Sequence, residues 1–347
     1  MHLLKKKVSP ISNTLMFVSV IIPIYNVEQY IEACVRSVAA QRFTDYEIIA
    51  VDDCGKDASM QVFSDTVDKL RIPAERVRII RHEHNKGLSA ARNTGIKASR
   101  GKFLYFLDSD DTLTPDCLEL LVQHSRHNGK DVEMVVGDYC FEGPSYPSPH
   151  LEEKSAFLGG RRFLRAYCKR LIYPMAWNKL ILRDFMMKNE LFFEEGLIHE
   201  DTLWSFQILK YINSVALVHS VTYVYRVRQD SLQTDDDFTR HFKANVYIVG
   251  KIADIMFSSG RLKYNKYVYD FVEEEKQRHL RDCRISGHAE LIRELYLTCR
   301  QKPHYKPLTA LMLFGYHEGI LRKIIKRDRH YAMSFERGLE YFMRLGS

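Results

Sequence analysis

Five apolar, β-branched runs punctuate the first 140 residues, at 18–24, 46–51, 77–80, 103–107 and 134–136. Their starts lie about 25 to 32 residues apart, the length of a strand, a crossover helix and a return. Between the first two runs Ile31, Cys34, Val35 and Val38 recur at helical spacing, and Val62, Val67 and Leu70 do so less regularly after the second. This alternation predicts an α/β fold, a mainly parallel sheet with helices on both faces. Ligands of such sheets bind at the carboxyl ends of the strands. The residues just after each run are therefore where chemistry is expected.

Beyond residue 140 the pattern changes. The stretch GPSYPSPH at 143–150 reads as a loop leaving the sheet. Helical segments are expected around 159–170 and 200–213, and a strand pair at 215–218 and 222–228. From about residue 238 the chain reads as mostly helical, with breaks near 259–260, 286–287 and 302–303. Residues 1–15 have no periodicity and contain KKK, Pro and Ser, so they are expected to be a disordered extension. The expected organisation is this extension, an α/β domain over 16–235 and a helical C-terminal region over 236–347.

Composition narrows the class. With 347 residues, 46% of them hydrophobic, the chain can bury a core and is neither disordered nor collagen-like. Its formal net charge of +7 is uneven: residues 240–347 carry +9 and the preceding part −2. The excess points to a surface partner near the C-terminus, with no nucleic acid as a chain-wide ligand. In 317–331, Ile320, Leu321, Ile324 and Ile325 share a helical face rimmed by Arg322, Lys323, Lys326, Arg327 and Arg329. Such a helix suits an anionic membrane surface or, equally, packs its apolar stripe on the protein. The seven cysteines form no CxxC pair, and Pro10, Ser12 and Asn13 interrupt the signal-peptide-like N-terminus. No apolar stretch is long enough to span a bilayer, so a cytoplasmic protein is expected, peripheral at most.

Two acidic clusters stand directly behind apolar runs: Asp52-Asp53 after EIIAV, and Asp108-Ser109-Asp110-Asp111 after KFLYFL. At the ends of parallel strands both would face one crevice, where crowded carboxylates repel unless a cation or donor satisfies them. Hard oxygen ligands suit Mg²⁺ or Mn²⁺, which bind through one or two carboxylates plus substrate phosphates. Helix capping would account for one Asp of the second cluster, not for three in four residues. The arrangement implies a metal that carries a diphosphate.

The segments VSVIIPIYNVEQYIEACVRSVAAQ, EIIAVDDCGKDAS and NKGLSAARNTGIKASRGKFLYFLDSDDTLTPDCLELL closely resemble the family 2 inverting glycosyltransferases of bacterial capsule, exopolysaccharide and O-antigen synthesis. The resemblance covers about residues 17–230 and is dense to about 140. It implies the GT-A fold, with the nucleotide part in 16–140 and the acceptor part in 141–235. It implies transfer of one sugar from a nucleotide-sugar, a UDP-sugar, to a growing glycan or lipid-linked oligosaccharide, assisted by Mn²⁺ or Mg²⁺. On the same grounds Pro23, Ile24, Tyr25 and Asn26 would wrap base and ribose, and Asp53 would accept the uracil N3–H. Arg92 and Asn93 match the nucleotide-contacting segment entered through Lys86-Gly87. Asp108 and Asp110 form the DxD element with Asp111 adjoining; Asp110 is the expected metal ligand, and Asp108 touches ribose or ligates through water.

In the second half, the segment from Leu197 to Trp204 resembles the family's ED motif. Inversion in one step needs a carboxylate opposite the departing diphosphate to take the acceptor's proton. That base is assigned to Asp201, with Glu200 orienting the acceptor or bonding a metal-bound water, and His199 structural or a phosphate contact. Trp177, Asn178 and Lys179 resemble an acceptor-side segment, with core packing an equal reading for Trp177. YRVRQDS resembles a stretch that in the family often closes over the donor diphosphate, which makes Arg226 and Arg228 candidates for stabilising leaving-group charge. The QxxRW element and membrane helices of processive members are absent from this sequence. Two other functions remain, a sugar nucleotidyltransferase and a catalytically silent nucleotide- or glycan-binding module; PIYNVEQ, which lacks glycine, argues against the first, and the intact Asp53, Asp110 and Asp201 against the second.

Overall fold

A computed structural model of the protein describes residues 16–142, 151–227, 238–262, 265–268, 270–271 and 274–275. The expected extension 1–15, the loop 143–150, Arg228 and the basic segment 317–331 lie outside the described residues. The chain divides into two compact units, 1–235 and 236–347.

The first unit opens with a regular series: β1 (Val18–Ile24), α1 (Ile31–Ala39), β2 (Tyr46–Asp52), α2 (Ser59–Lys69), β3 (Val77–Arg81), α3 (Leu88–Ala98) and β4 (Phe103–Phe106). It continues through β5 (Thr112–Leu113), α4 (Cys117–Gln123), a small hairpin of β6 (Arg126–His127) and β7 (Lys130–Asp131), β8 (Met134–Glu142), β9 (Phe157–Gly159) and α5 (Gly160–Cys168). The last elements of this unit are β10 (Lys179–Leu182), α6 (Arg183–Lys188), α7 (Glu200–Tyr211) and β11 (Ser214–Arg226). The described part of the second unit is led by α8 (Phe238–Ser258). Among the described residues no helix is long and apolar enough to cross a membrane.

Among the described residues nine strands make one sheet in the order β3-β2-β1-β4-β10-β8-β11-β5, with β9 paired to β11. Strands β1 to β4 are parallel, as the spacing of the apolar runs predicts. All seven residues of β1 are buried, which is why its sequence is apolar on both faces apart from Ser19, whose hydroxyl donates to Glu47. Val18, Val20, Ile22 and Ile24 share a core with Ile31, Cys34, Val35 and Val38 of α1. On the opposite face, a Cβ added at Gly95 of α3 would collide with Ile21. Helices thus cover both faces, and α3 lies against β1 as closely as a glycine permits.

The second half of the sheet is mixed. The short β10 runs antiparallel to both β4 and β8 and so separates them, while β8 and β11 are parallel. The strand pair expected at 215–218 and 222–228 is one strand, β11, because irregularities between Val218 and Val221 and between Val221 and Tyr223 bend it without ending it. This bend matters for the site. It carries Tyr223 and Arg226 up to the carboxyl edge beside the DxD segment.

Candidate active site

Because β1, β2 and β4 are parallel, their carboxyl ends open on one edge of the sheet. The loops after β1 and β2 are laced together there: Asn26 Oδ1 accepts the Lys56 N–H at 2.9 Å, Ser59 Oγ the Val27 N–H at 2.7 Å, and Asp57 Oδ2 the Glu28 N–H at 2.9 Å. Pro23 and Ile24 are buried as the last residues of β1, whereas Tyr25 and Asn26 are exposed, Asn26 with a φ of 50°. Of the four residues expected to wrap a nucleotide, the loop pair Tyr25 and Asn26 faces solvent.

Asp53, buried, accepts the Lys86 N–H at Oδ1 and the Gly87 N–H at Oδ2, both at 2.8 Å. It therefore fixes the entry to α3, where Gly87 takes a φ of 86° that favours glycine. Oδ1 also lies 2.6 Å from Nδ1 of His82, whose Nε2 is 2.9 Å from Thr94 Oγ1. Sequence reasoning passed over both His82 and Thr94. The rule that picks out Asp53, a polar residue directly behind a strand, applies equally to His82 behind β3.

Arg92 is 1% exposed and occupies the centre of the acidic site. Its Nη2 donates to Asp108 Oδ1 at 2.9 Å; its Nη1 donates to Glu200 Oε1 at 2.7 Å and to Asp201 Oδ1 at 2.9 Å. The guanidinium lies over the Phe193 ring, 5.2 Å from its centroid, and that ring stacks on Trp204. Arg92 is thus committed to protein carboxylates, and it joins the DxD segment after β4 to the ED pair that starts α7. Asn93 beside it is also buried: its amide holds the carbonyl and the N–H of Phe193 and reaches Glu195.

The three aspartates of the DxD segment have different surroundings. Asp111 is buried, with Oδ2 accepting the Tyr223 hydroxyl at 2.6 Å and Oδ1 the Arg226 N–H at 2.7 Å. Burial, and then the charges of Asp110 and Asp108, push its carboxyl well above the usual range. Asp111 therefore fastens β11 to the DxD turn. Asp108 gives one oxygen to Arg92, and Asp110 is half-buried.

The ED pair stands in the first turn of α7, where the helix dipole favours negative charge. Burial raises the Asp201 carboxyl, against the lowering pull of Arg92. Burial and then Asp201 push Glu200 up to about 7. Lys179, 2% exposed, has its amine brought down to about 7 by burial; it donates to the Met175 carbonyl and sits 4.0 Å from the Tyr173 ring centroid.

Trp177, Asn178 and Lys179, the residues expected on the acceptor side, are all buried. Trp177 stacks on Tyr223 with centroids 4.5 Å apart and planes 9° from parallel. Asn178, at a φ of 57°, donates to the Asp138 carbonyl and accepts from Thr222 and Tyr105. These bonds satisfy a buried polar side chain among strands and leave it no reach toward a ligand. Arg226 pairs with Glu142 and lies over the Tyr30 ring, 5.4 Å from its centroid.

Residues 19–190 match the family model described as glycosyl transferase family 2. The uncharacterized glycosyltransferase EpsJ of Bacillus subtilis is 32% identical over 223 residues, and the match spans 62% of this chain and 62% of that relative. The structure of Staphylococcus aureus TarS 1–349 in complex with UDP aligns with a TM-score of 0.60 at 21% identity, over 86% of this chain and 79% of that one. The mannosyltransferase PcManGT of Pyrobaculum calidifontis, in complex with GDP-Man and Mn²⁺, aligns with a TM-score of 0.53 at 16% identity, over 86% of this chain and 84% of that one. At these identities the likeness to the solved structures is one of fold.

Proposed function

The chain belongs to glycosyl transferase family 2, and on that premise we propose that it transfers a single sugar, with inversion, from a UDP-sugar to a growing glycan or lipid-linked oligosaccharide in polysaccharide synthesis. The observation that carries this reading is the Arg92 cluster, in which one buried guanidinium holds the DxD aspartate Asp108 and the ED pair Glu200 and Asp201 at the same edge of the sheet. A donor diphosphate near Asp108 and an acceptor near Asp201 then lie on opposite sides of one reacting carbon.

In the proposed step Asp201 takes the proton of the acceptor hydroxyl while that oxygen attacks the anomeric carbon. The bond from that carbon to the diphosphate breaks, and its electron pair leaves on UDP. A base with a raised carboxyl is better matched to proton transfer near neutrality than an ordinary aspartate. Glu200 orients the acceptor.

A divalent cation fits the residues present. The site collects hard oxygen donors, and the carboxyl of Asp111, raised first by burial and then by the charges of Asp110 and Asp108, stands beside negative charge that a cation would relieve. Among the described residues no group of three or more possible ligands is gathered for a metal, so the protein would supply one or two, Asp110 with Asp108. When bound, Mn²⁺ or Mg²⁺ would neutralise charge on the leaving diphosphate.

TarS has been solved with UDP and PcManGT with GDP-Man, so the fold alone does not choose the base. Asp53, an acceptor at the nucleotide side, favours uracil. The proposed setting is the cytoplasm, where a lipid-linked acceptor would be met at the membrane face. Thermal unfolding with UDP- and GDP-sugars plus Mn²⁺, followed by assay of UDP release, tests the reading. A donor held at 100 times its dissociation constant should stabilise by about 2.7 kcal/mol. Stabilisation by GDP-sugars alone, or by none, would reject it.

A further inference from the structure

His82 has a side chain 5% exposed, in a place the proposed chemistry does not use. It lies between Asp53 and Thr94, bridging the end of β2 to α3. A carboxylate oxygen only accepts, so the 2.6 Å contact with Asp53 puts the proton on Nδ1, and a neutral ring then accepts the Thr94 hydroxyl at Nε2. The backbone bonds from Lys86 and Gly87 already explain a buried aspartate at the start of α3. They do not explain a second, side-chain clamp on the same carboxylate.

Counting acceptor positions gives the clamp a purpose. A carboxylate has about four, two on each oxygen. Oδ1 takes His82 and Lys86, and Oδ2 takes Gly87. Among the described residues one position is left, on Oδ2.

We propose that His82 is a positioning residue for base recognition: anchored by Thr94, it saturates Oδ1 and fixes the carboxylate plane of Asp53, so that the single remaining acceptor position on Oδ2 selects a base presenting a ring N–H. Uracil presents such a donor at N3. Cytosine presents an acceptor there and would set lone pair against lone pair. This inference rests on the uridine-nucleotide reading above and assigns its discrimination to a residue that touches no ligand.

The test is calorimetric titration of the full chain with UDP and with CDP, both with Mn²⁺. Wild type is expected to favour UDP by about tenfold or more, the equivalent of one well-made hydrogen bond. His82→Leu should lose about that factor for UDP while leaving CDP nearly unchanged. His82→Asn, whose side-chain amide can donate where Nδ1 does, should recover most of it. Thr94→Val, which removes only the anchor of the ring, should lie between wild type and His82→Leu and remains informative if the leucine variant does not fold. Equal losses for UDP and CDP in His82→Leu would mark a purely structural role. So would discrimination that survives both His82→Leu and Thr94→Val. A wild type without preference for UDP would instead overturn the uridine reading, and the wild-type arm alone detects that.

Discussion

Nη1 of Arg92 stands 2.9 Å from Oδ1 of Asp201, a residue 109 positions later in the chain. The bond is one side of a buried cluster in which a single cation serves three carboxylates. Burial alone would lower the Arg92 pKa, but Asp201, Asp108 and Glu200 hold it above its ordinary value.

Removing that cation should be expensive. Arg92→Met leaves buried carboxylates uncompensated and is expected to destabilise by about 3–5 kcal/mol, read from denaturant unfolding. Arg92 lowers the carboxyls of Glu200 and Asp201, so its loss should also move the rising limb of the activity profile to higher pH. Arg92→Lys keeps the charge but lacks the fork that spans Asp108 and Asp201, and should recover stability better than turnover.

Stability and activity are expected to trend oppositely with pH. Glu200 has an ordinary value of 4.5 and a folded value of about 7, so between them the folded state binds a proton that the unfolded state has lost. Its contribution is full below about 4.5 and disappears as pH rises toward 7. Asp201 must be ionised to accept a proton, so turnover rises as stability falls. Glu200→Gln should flatten the stability slope in this window, measured as melting temperature against pH.

Asp201→Asn should leave UDP affinity close to wild type while turnover collapses by about 10²- to 10⁴-fold, the usual contribution of a general base. Retained turnover would transfer the role to Glu200.

Asp110→Asn should abolish the Mn²⁺-dependent part of UDP binding, because it removes ligand charge where the diphosphate is neutralised. Calorimetry with and without the metal isolates that part, and undiminished metal-dependent binding would exclude Asp110 as a ligand.

Trp177→Ala tests packing against acceptor binding. The indole is 3% exposed and stacked on Tyr223, so truncation should cost about 3–5 kcal/mol of stability. Trp177→Phe should keep most of that stability and leave the acceptor KM nearly unchanged. A large rise in KM in a stable Trp177→Phe variant would bring the acceptor role back.

The regular half of the fold was legible because its central strands are buried on both faces and spell mostly apolar runs, as in Val18–Ile24, where only Ser19 is polar. In the other half β8, α5, α7 and β11 fall on the expected segments, but the short strand between them was not legible. Strand β10 is four residues long, and KLIL carries no period that separates strand from helix. Its place between β4 and β8 depends on pairings far apart in the sequence. At the site, runs of acidic residues behind strands announce themselves, so Asp53 and Asp110 stood out as candidates, whereas Asp201 was named only through the family resemblance. The partners of such groups are harder to read: the three carboxylates around Arg92 come from segments far apart in the chain, and His82 is one histidine among 14. Burial, as at Trp177 and Asn178, is decided by tertiary packing.

Four consecutive residues of α3 are each spoken for by a different part of the molecule. Arg92 serves the acidic site, Asn93 the Phe193 backbone, Thr94 the His82 ring, and Gly95 the side chain of Ile21. Each residue of a helix is turned about 100° from the last. A one-residue insertion or deletion upstream within α3 would therefore swing all four attachments off their targets together, whereas point changes break them one at a time. The helix behaves as a key with four cuts, and its length and phase are harder to alter than any one of its side chains.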